Sequence, residues 1–269
     1  MEGAGVNATN RMTGVSKPTI LKLVADLGTA GAAYHDKHVR GVKARRIQCD
    51  EIWSFNYCKD VNLAKAKAAP EKAGSTWAWT AIEAQSKLMI SYWVGDRDGE
   101  TALAFIGDMA SRIVDRPQVT TDGLASYVGA IEEIFGDDVD FAQLIKTYTE
   151  TPDTGRTEKK YSPGVCTGCY GKKVTGRPDA RHVSTSFVES NNQKIRQHNR
   201  RFTRLSSGHS KKFENHCHHP AIFFLFYNFA RVHTSLRMSP AMAAGIETRL
   251  WDIEDVVRLM DAEEVKQGA

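Results

Sequence analysis

The sequence predicts an α/β protein in which a mixed β-sheet is flanked by helices. Three apolar segments of strand length follow one another early in the chain, and helical and strand patterns alternate after them. Consecutive strands pair antiparallel, whereas strands separated by helices pair parallel, so this order predicts a mixed sheet. The 269 residues, 41% of them hydrophobic, suffice for one sizeable core and a small accessory segment.

The first forty residues predict helices. Within 13–24, Gly14 suits a turn, Ser16 suits an N-cap and Pro18 suits the first turn of a helix. Two interpretations stay open for this segment. It is either a short helix-turn-helix that contacts DNA, with Lys17 at the start of its second helix, or an amphipathic lead-in to the core.

The next elements follow in the order strand, strand, strand, helix, strand, helix, strand. Hydrophobic periodicity and turn residues place their boundaries, and Asp98 is the expected N-cap of the first helix in this series. The predicted ranges are 45–57, 75–84, 88–95, 99–114, 118–121, 126–135 and 140–149.

Both periodicities disappear between about 150 and 183, where glycine and proline recur in a polar, basic segment. A long loop is therefore predicted there, and such loops are commonly functional. Helices are predicted at 186–200, 209–232, 240–246 and 252–261. The chain divides into a helical segment at 1–42, a catalytic domain at 43–236 and a helical tail at 237–269.

Three carboxylates occupy unusual positions. Asp50 interrupts an apolar strand, Asp122 ends the fourth strand, and Glu189 lies in the first turn of a helix. Burial of an isolated carboxylate is costly unless a cation or hydrogen bonds compensate. Each position also has a plain explanation: a charge pair for Asp50, an Asp-Gly turn for Asp122, and a capping box with Ser186 for Glu189.

Taken together, the three acids match one geometry. Acids on the first strand, after the fourth strand and on the helix after the fifth are the arrangement of the ribonuclease-H-like nucleotidyl transferase fold. Strand alternation places Asp50 on the face of Gln48 and Ile52 and turns Glu51 to the other face. Carboxylates that converge on divalent cations beside a basic surface predict phosphodiester chemistry on nucleic acid.

Residues 156–237 contain sixteen lysines and arginines against four aspartates and glutamates. Such crowding of one sign is typical of proteins that bind polyanions, although a solvated basic face without a partner is the alternative. Gln193, Arg196 and Arg200 fall on the helical face of Glu189, which suits a track for DNA phosphates.

Cys166 and Cys169 have the spacing of a zinc knuckle, and His182 follows them, but a fourth ligand is missing. They are either a zinc pair or two reduced thiols. Five cysteines form no disulfide framework in a chain of this length. With no secretory leader and no apolar stretch long enough to cross a bilayer, we expect a cytoplasmic, nucleoid-associated protein without membrane contact.

The acid-bearing segments 48–55, 121–123 and 182–192 resemble bacterial insertion-sequence transposases of the DDE type, and most closely the family named after the first insertion sequence. Segments 201–205 and 227–233 are similar to that family too, and the likeness runs from about 11 to 246. Two departures are a shorter N-terminal region and a longer gap between the second and third acids.

The resemblance implies that Asp50, Asp122 and Glu189 are catalytic and hold two Mg²⁺ ions, or Mn²⁺, which also prefers oxygen ligands. It implies cleavage and joining of DNA at terminal inverted repeats and target DNA by a homo-oligomer assembled on DNA. Two rivals are a nuclease of the same fold that only hydrolyses and a catalytically decayed DNA-binding regulator. The candidate DNA contacts are Lys17, Asn192, Arg196, Arg200, Arg201, Arg204, Lys211 and Lys212.

Overall fold

The sheet at the centre of the molecule has six strands in the order β3-β2-β1-β4-β5-β6. It is seen in a computed structural model that describes residues 2–149, 164–204 and 206–267. The strands are β1 Arg46–Asn56, β2 Gly74–Glu83, β3 Met89–Gly95, β4 Gln118–Thr121, β5 Asp140–Tyr148 and β6 Cys166–Thr175.

Strands β1, β2 and β3 form an antiparallel meander, β4 and β5 join it in parallel, and β6 closes the far edge antiparallel to β5. This order and these directions confirm the predicted mixed sheet of the ribonuclease-H-like type. β1 pairs with β2 along most of its length but with β4 over only three residues, Arg46, Ile47 and Gln48. The second half of β1 therefore extends past the end of β4.

Helices cover both faces of the sheet, and each face has its own apolar core. Ile47 and Cys49 of β1 pack in the core that includes α3 and α4, whereas Ile52 packs in the core that includes α5 and α6. The helices are α1 Val6–Thr13, α2 Lys17–His38, α3 Gly99–Arg112, α4 Ser126–Phe135, α5 Ser186–His198, α6 Phe213–Leu225, α7 Pro240–Ala243 and α8 Ile253–Gln267.

Local signals placed several helix ends correctly. Asp98 caps α3 by accepting a hydrogen bond from the Thr101 backbone N–H at 2.8 Å. The hydroxyl of Ser16 accepts from the Thr19 N–H at 3.3 Å, and Gly14 ends α1 with a φ of 73°. The turn predicted between the first two helices is therefore formed, whereas its use as a DNA-binding head stays a prediction.

The prediction of a loop at 150–183 was wrong for the residues of β6, Cys166–Thr175. All residues of β6 up to Lys173 are exposed, since no second layer of described residues covers this part of the edge strand. A strand that buries neither face has no apolar alternation, so its sequence pattern is that of a loop. Residues 150–163 of the predicted loop lie outside the described residues.

The long helix predicted at 209–232 is shorter and has two parts. The α-helix begins at Phe213 and ends at Leu225, and a π-helical turn, Phe226–Ala230, follows it. Within the part of the chain that the structure describes, no helix is both long and apolar enough to cross a membrane.

We expect Gly28→Ala in α2 to destabilise the protein by about 2 kcal/mol, because a Cβ there would overlap the neighbouring helix. It would lie 2.4 Å from Cβ and 2.8 Å from Cα of His218 on α6. Gly129→Ala in α4 is the matched control, since its Cβ would meet nothing within 4 Å. That control should gain roughly 0.5–1 kcal/mol through helix propensity. Urea unfolding of both variants measures the difference, and equal stabilities would contradict this packing.

Candidate metal centre

Three carboxylates meet where β1 extends past the end of β4. Asp50, Glu51 and Asp122 each offer an oxygen atom, and these atoms all lie within 4.8 Å of one another. Asp122 follows β4 directly, and Asp50 and Glu51 come just after the last β1 residue that pairs with β4. The short parallel pairing therefore places the three carboxyl groups at one notch in the sheet, in an arrangement that could hold a metal ion.

Asp50 lies on the face of the sheet that α5 covers. Its Oδ2 accepts a hydrogen bond from Nδ2 of Asn192 at 2.8 Å, and Oδ1 of that amide in turn lies 3.4 Å from the hydroxyl of Thr80. Burial raises the pKa of Asp50 to about 7, and the charges of Glu51 and Asp122 contribute to this rise. Near neutral pH the carboxyl group is therefore poised between its two protonation states unless a cation is present.

Glu51 points to the opposite face, as strand alternation predicts, and its side chain is 1% exposed. Its Oε2 accepts from Nε of Arg97 at 3.1 Å, whereas Oε1 is buried. The buried hydroxyl of Tyr127 approaches the same carboxyl group, and this contact works against the rise of the Glu51 pKa. Burial raises the pKa of Glu51, and the charge of Asp122 adds to the rise. A buried carboxylate is costly unless it is compensated, and Arg97 and Tyr127 supply part of that compensation.

Asp122 stands at the turn after β4 and has one oxygen in use. Its Oδ1 accepts from the backbone N–H of Leu124 at 3.0 Å, which is the turn chemistry that an Asp-Gly pair favours. Gln143 of β5 holds the same turn by donating to the Asp122 carbonyl at 3.0 Å. Asp122 can therefore form the turn with Oδ1 while its other carboxylate oxygen, Oδ2, stays outside the turn.

Arg97 is the cation nearest to two of the acids. Besides its bond to Glu51, its Nη2 lies 3.8 Å from Oδ2 of Asp122, and the guanidinium lies 4.8 Å from the centre of the Trp77 ring. Arg97 pairs with two of the carboxylates, Glu51 and Asp122, so the cluster keeps an excess of negative charge when its acids are ionised. Such an excess favours the binding of a divalent cation.

Glu189, the third acid of the sequence motif, lies outside this cluster. Its side chain is 42% exposed, and Oε1 accepts hydrogen bonds from Lys146 and from the hydroxyl of Thr185. Thr185, not Ser186, is the N-cap of α5, so the capping box considered for Glu189 is absent. The charge of Glu189 nevertheless contributes to the raised pKa of Asp50, which places the two groups near each other.

The start of α5 is held by β1. The side-chain oxygen of Gln48 accepts from the backbone N–H groups of Phe187 at 2.8 Å and Val188 at 3.2 Å. These donors belong to the first turn of α5, which has no partner for them within the helix. Gln48 therefore aligns the helix that carries Glu189 and Asn192 with the strand that carries Asp50.

The candidate DNA contacts divide into exposed and internal residues. Arg196 donates to the carbonyl of Phe202 at 3.1 Å, and Arg201 donates to the carbonyls of Gly208 and His209 at 2.8 and 3.0 Å. Burial lowers the pKa of Arg196 to about 10, and Asn192 is buried against Asp50. The candidates that remain exposed are Lys17, Arg200, Arg204, Lys211 and Lys212.

Cys166 and Cys169 are free, exposed thiols on β6. Among the described residues, neither belongs to a group of three or more side chains that could hold a metal ion. His182, the expected third ligand, has Nδ1 at 2.9 Å from Arg46 and Nε2 at 3.8 Å from Asp179. This geometry favours the interpretation as two reduced thiols.

Glu51 and Arg97 are site residues that the sequence interpretation missed. Glu51 follows Asp50 directly, but alternation along a strand assigns neighbours to opposite faces. A signal was present in the lengths of the elements, because an eleven-residue strand beside a four-residue one must extend past it. Arg97 carries no comparable signal, since its position depends on the packing of the segment between β3 and α3.

No protein-family model matches the chain, and no curated protein matches it in sequence. Among solved structures, a cryo-EM structure of a piggyBac transposase synaptic complex with hairpin DNA is similar over 81% of this chain. The sequence identity is 8% and the TM-score is 0.38. The chain spans 52% of the length of that protein.

We expect Asp50→Asn to stabilise the metal-free protein at pH 8 much more than at pH 5. The carboxyl group of Asp50 has a pKa of about 7 in the folded protein, and the unfolded chain releases this proton at lower pH. The folded wild-type protein therefore loses stability as the pH rises from about 4 to 7. Between these two pH values the Tm gap between variant and wild type should grow by about 5 °C.

Thermal unfolding in EDTA measures this gap, and Asp115→Asn, which removes an exposed acid, is the control. A gap of equal size at both pH values would contradict the assigned burial of Asp50.

Proposed function

We propose that this chain is a DNA transposase of the DDE type, which cleaves DNA strands at insertion-sequence ends and joins them to target DNA. One observation carries the proposal: oxygen atoms of Asp50 and Asp122 lie within 4.8 Å of each other, on the two strands that bear the matching acids of the motif. Glu189, on the helix beside them, is proposed as the third acid.

The donor set fits a hard divalent cation. All three clustered side chains are carboxylates, and Arg97 pairs with only two of them. Mg²⁺ prefers oxygen ligands, and Mn²⁺ accepts the same set. When bound, a pair of such ions would activate a water molecule or a DNA 3′-hydroxyl and stabilise the leaving oxygen.

The chain's own residues would orient the acids for this chemistry. Asn192 fixes the Asp50 carboxylate by its 2.8 Å hydrogen bond, and Gln48 fixes the start of α5. Lys146 compensates the charge of Glu189 by an ion pair. Both groups lie close enough to Asp50 for their charges to interact with it.

The exposed cations after α5 are proposed to contact DNA. Arg200, Arg204, Lys211 and Lys212 follow the helix that carries Glu189, and Lys17 begins α2. Contacts of lysine and arginine to phosphates position DNA without reading its sequence. Because transposition joins two DNA ends, we propose that the chain acts as a homo-oligomer assembled on terminal inverted repeats.

We expect Asp50→Asn, Asp122→Asn and Glu189→Gln each to reduce strand cleavage by at least about 100-fold, because each removes a charged ligand oxygen. The assay incubates the protein with Mg²⁺ and labelled duplexes that carry the inverted repeats flanking its gene. Asp115→Asn is the control and should cleave like the wild type.

Joined products would support transposition. Release without joining would instead identify a nuclease of this fold, and DNA binding without turnover would identify a regulator. Wild-type cleavage by any of the three variants would contradict the ligand assignment.

We expect Mg²⁺ at 100 times its dissociation constant to raise the Tm of the wild-type protein by about 5 °C or more. Asp122→Asn should remove this rise, and Glu51→Gln should reduce it, because both oxygens face the same cluster. A differential scanning fluorimetry titration measures the shift. An unchanged rise in Tm in the Glu51→Gln variant would mean that Glu51 binds Arg97 but not the cation.

A further inference from the structure

The buried side chain of Asn228 joins the segment 227–233 to the sheet. Asn228, in the π-helical turn Phe226–Ala230, accepts from the backbone N–H of Met89 at 3.0 Å and donates to the carbonyl of the same residue at 3.0 Å. These two hydrogen bonds join the side chain of Asn228 to the backbone of β3. The residues that follow the turn, Arg231 and His233, therefore leave the core at a fixed point.

The turn before β3 is held against the same segment. Tyr227 donates from its hydroxyl to the carbonyl of Lys87 at 3.0 Å, and Lys87 has a φ of 59°. A non-glycine residue in this left-handed region is held there by its surroundings, since the conformation costs of order 1 kcal/mol. The ammonium group of Lys87 lies 3.1 Å from the centre of the Phe187 ring. Its position is thus fixed beside α5.

A cavity of about 340 Å³ lies between α5 and this segment. The residues that line it include Lys194 of α5, Tyr227, Arg231, His233 and Ser235. The Lys194 ammonium lies 6.0 Å from the centre of the Tyr227 ring. The cavity is large enough for a tetrahedral anion, and its lining includes a lysine, an arginine, a histidine and a serine.

The cations around the cavity lack acidic partners. None of the ion pairs between described residues includes Lys194 or Arg231. Burial and the charge of Arg231 lower the pKa of Lys194, and burial and the charges of Lys194, Lys87 and Arg231 lower the pKa of His233. Half-buried like charges repel one another, so a bound anion would offset a cost that the described residues do not offset by ion pairs.

We propose that this cavity is a second phosphate-binding site, in which Lys194, Arg231 and His233 hold a phosphate of the DNA backbone. The proposal rests on the proposed function in one respect, namely that DNA is the substrate. Lys194 stands roughly 140° around α5 from Glu189 and about 7.5 Å along its axis. The cavity is therefore separate from the metal centre and engages DNA on the other side of α5.

The test is DNA binding by Lys194→Gln combined with Arg231→Gln, measured by fluorescence anisotropy on a labelled duplex in EDTA. We expect about 10-fold weaker binding, and a plot of log affinity against log salt whose slope is smaller by roughly 1, because one phosphate contact is lost. The loss should be the same for duplexes of unrelated sequence. The Tm should stay equal or rise, because repulsion between the two cations is removed.

Two matched double variants make the result specific. Lys194→Arg with Arg231→Lys keeps both charges and should bind nearly as the wild type does. Lys37→Gln with Lys65→Gln removes two charges from exposed lysines on other elements and should leave the salt slope close to that of the wild type. Wild-type affinity and slope in the Lys194/Arg231 glutamine variant, or no DNA binding by the wild type, would overturn the proposal.

The phosphate site and the proposed transposition can fail separately. Absence of Mg²⁺-dependent cleavage, together with a binding loss in the glutamine variant, would remove the catalytic proposal and leave the phosphate site. Cleavage that depends on Asp50, together with unchanged DNA binding in the glutamine variant, would do the opposite.

Discussion

The short pairing between β1 and β4 is the constraint on which the site depends. Among the described residues, only Arg46, Ile47 and Gln48 pair with β4, so the residues of β1 directly after them have no strand beside them there. If β4 were longer, its backbone would occupy the notch, and the carboxyl groups of Asp50 and Asp122 would be separated or buried without compensation. The same notch lets Glu51, on the opposite face, bring an oxygen close to the other two.

Helix α5 separates the acidic side chains of the site from a group of cations. One side of the helix faces the acids through Asn192 and Glu189, while Lys194 on another side faces a group of cations. Gln48 sets the position of both sides at once, because it caps the helix from β1. Helix α5 lies between the carboxylate cluster and the cavity that Lys194 lines. This arrangement suits a substrate with several phosphates, one of which is attacked with the help of metal ions.

Local chemistry explains why much of the fold was predictable. Asp98, Ser16 and Gly14 act within one turn of their own positions, so their roles follow from neighbours in sequence. β6 was missed because an edge strand with both faces in solvent has no apolar period. The inward turn of Arg196 and Arg201 was also missed, since helical spacing assigns a face but not the loop carbonyls that bind it.

The sequence by itself determined the mixed sheet, the strand that carries Asp50, the strand end that Asp122 follows, and the helix that carries Glu189, because periodicity, capping and turn residues are local properties of the chain. Only the tertiary structure decided that Glu51 and Arg97 join the acids, that Glu189 binds Lys146, and that Lys194 meets Arg231. These contacts join residues far apart in the chain or on opposite faces of a strand. Their distances depend on register and on the lengths of neighbouring strands, which no single segment encodes.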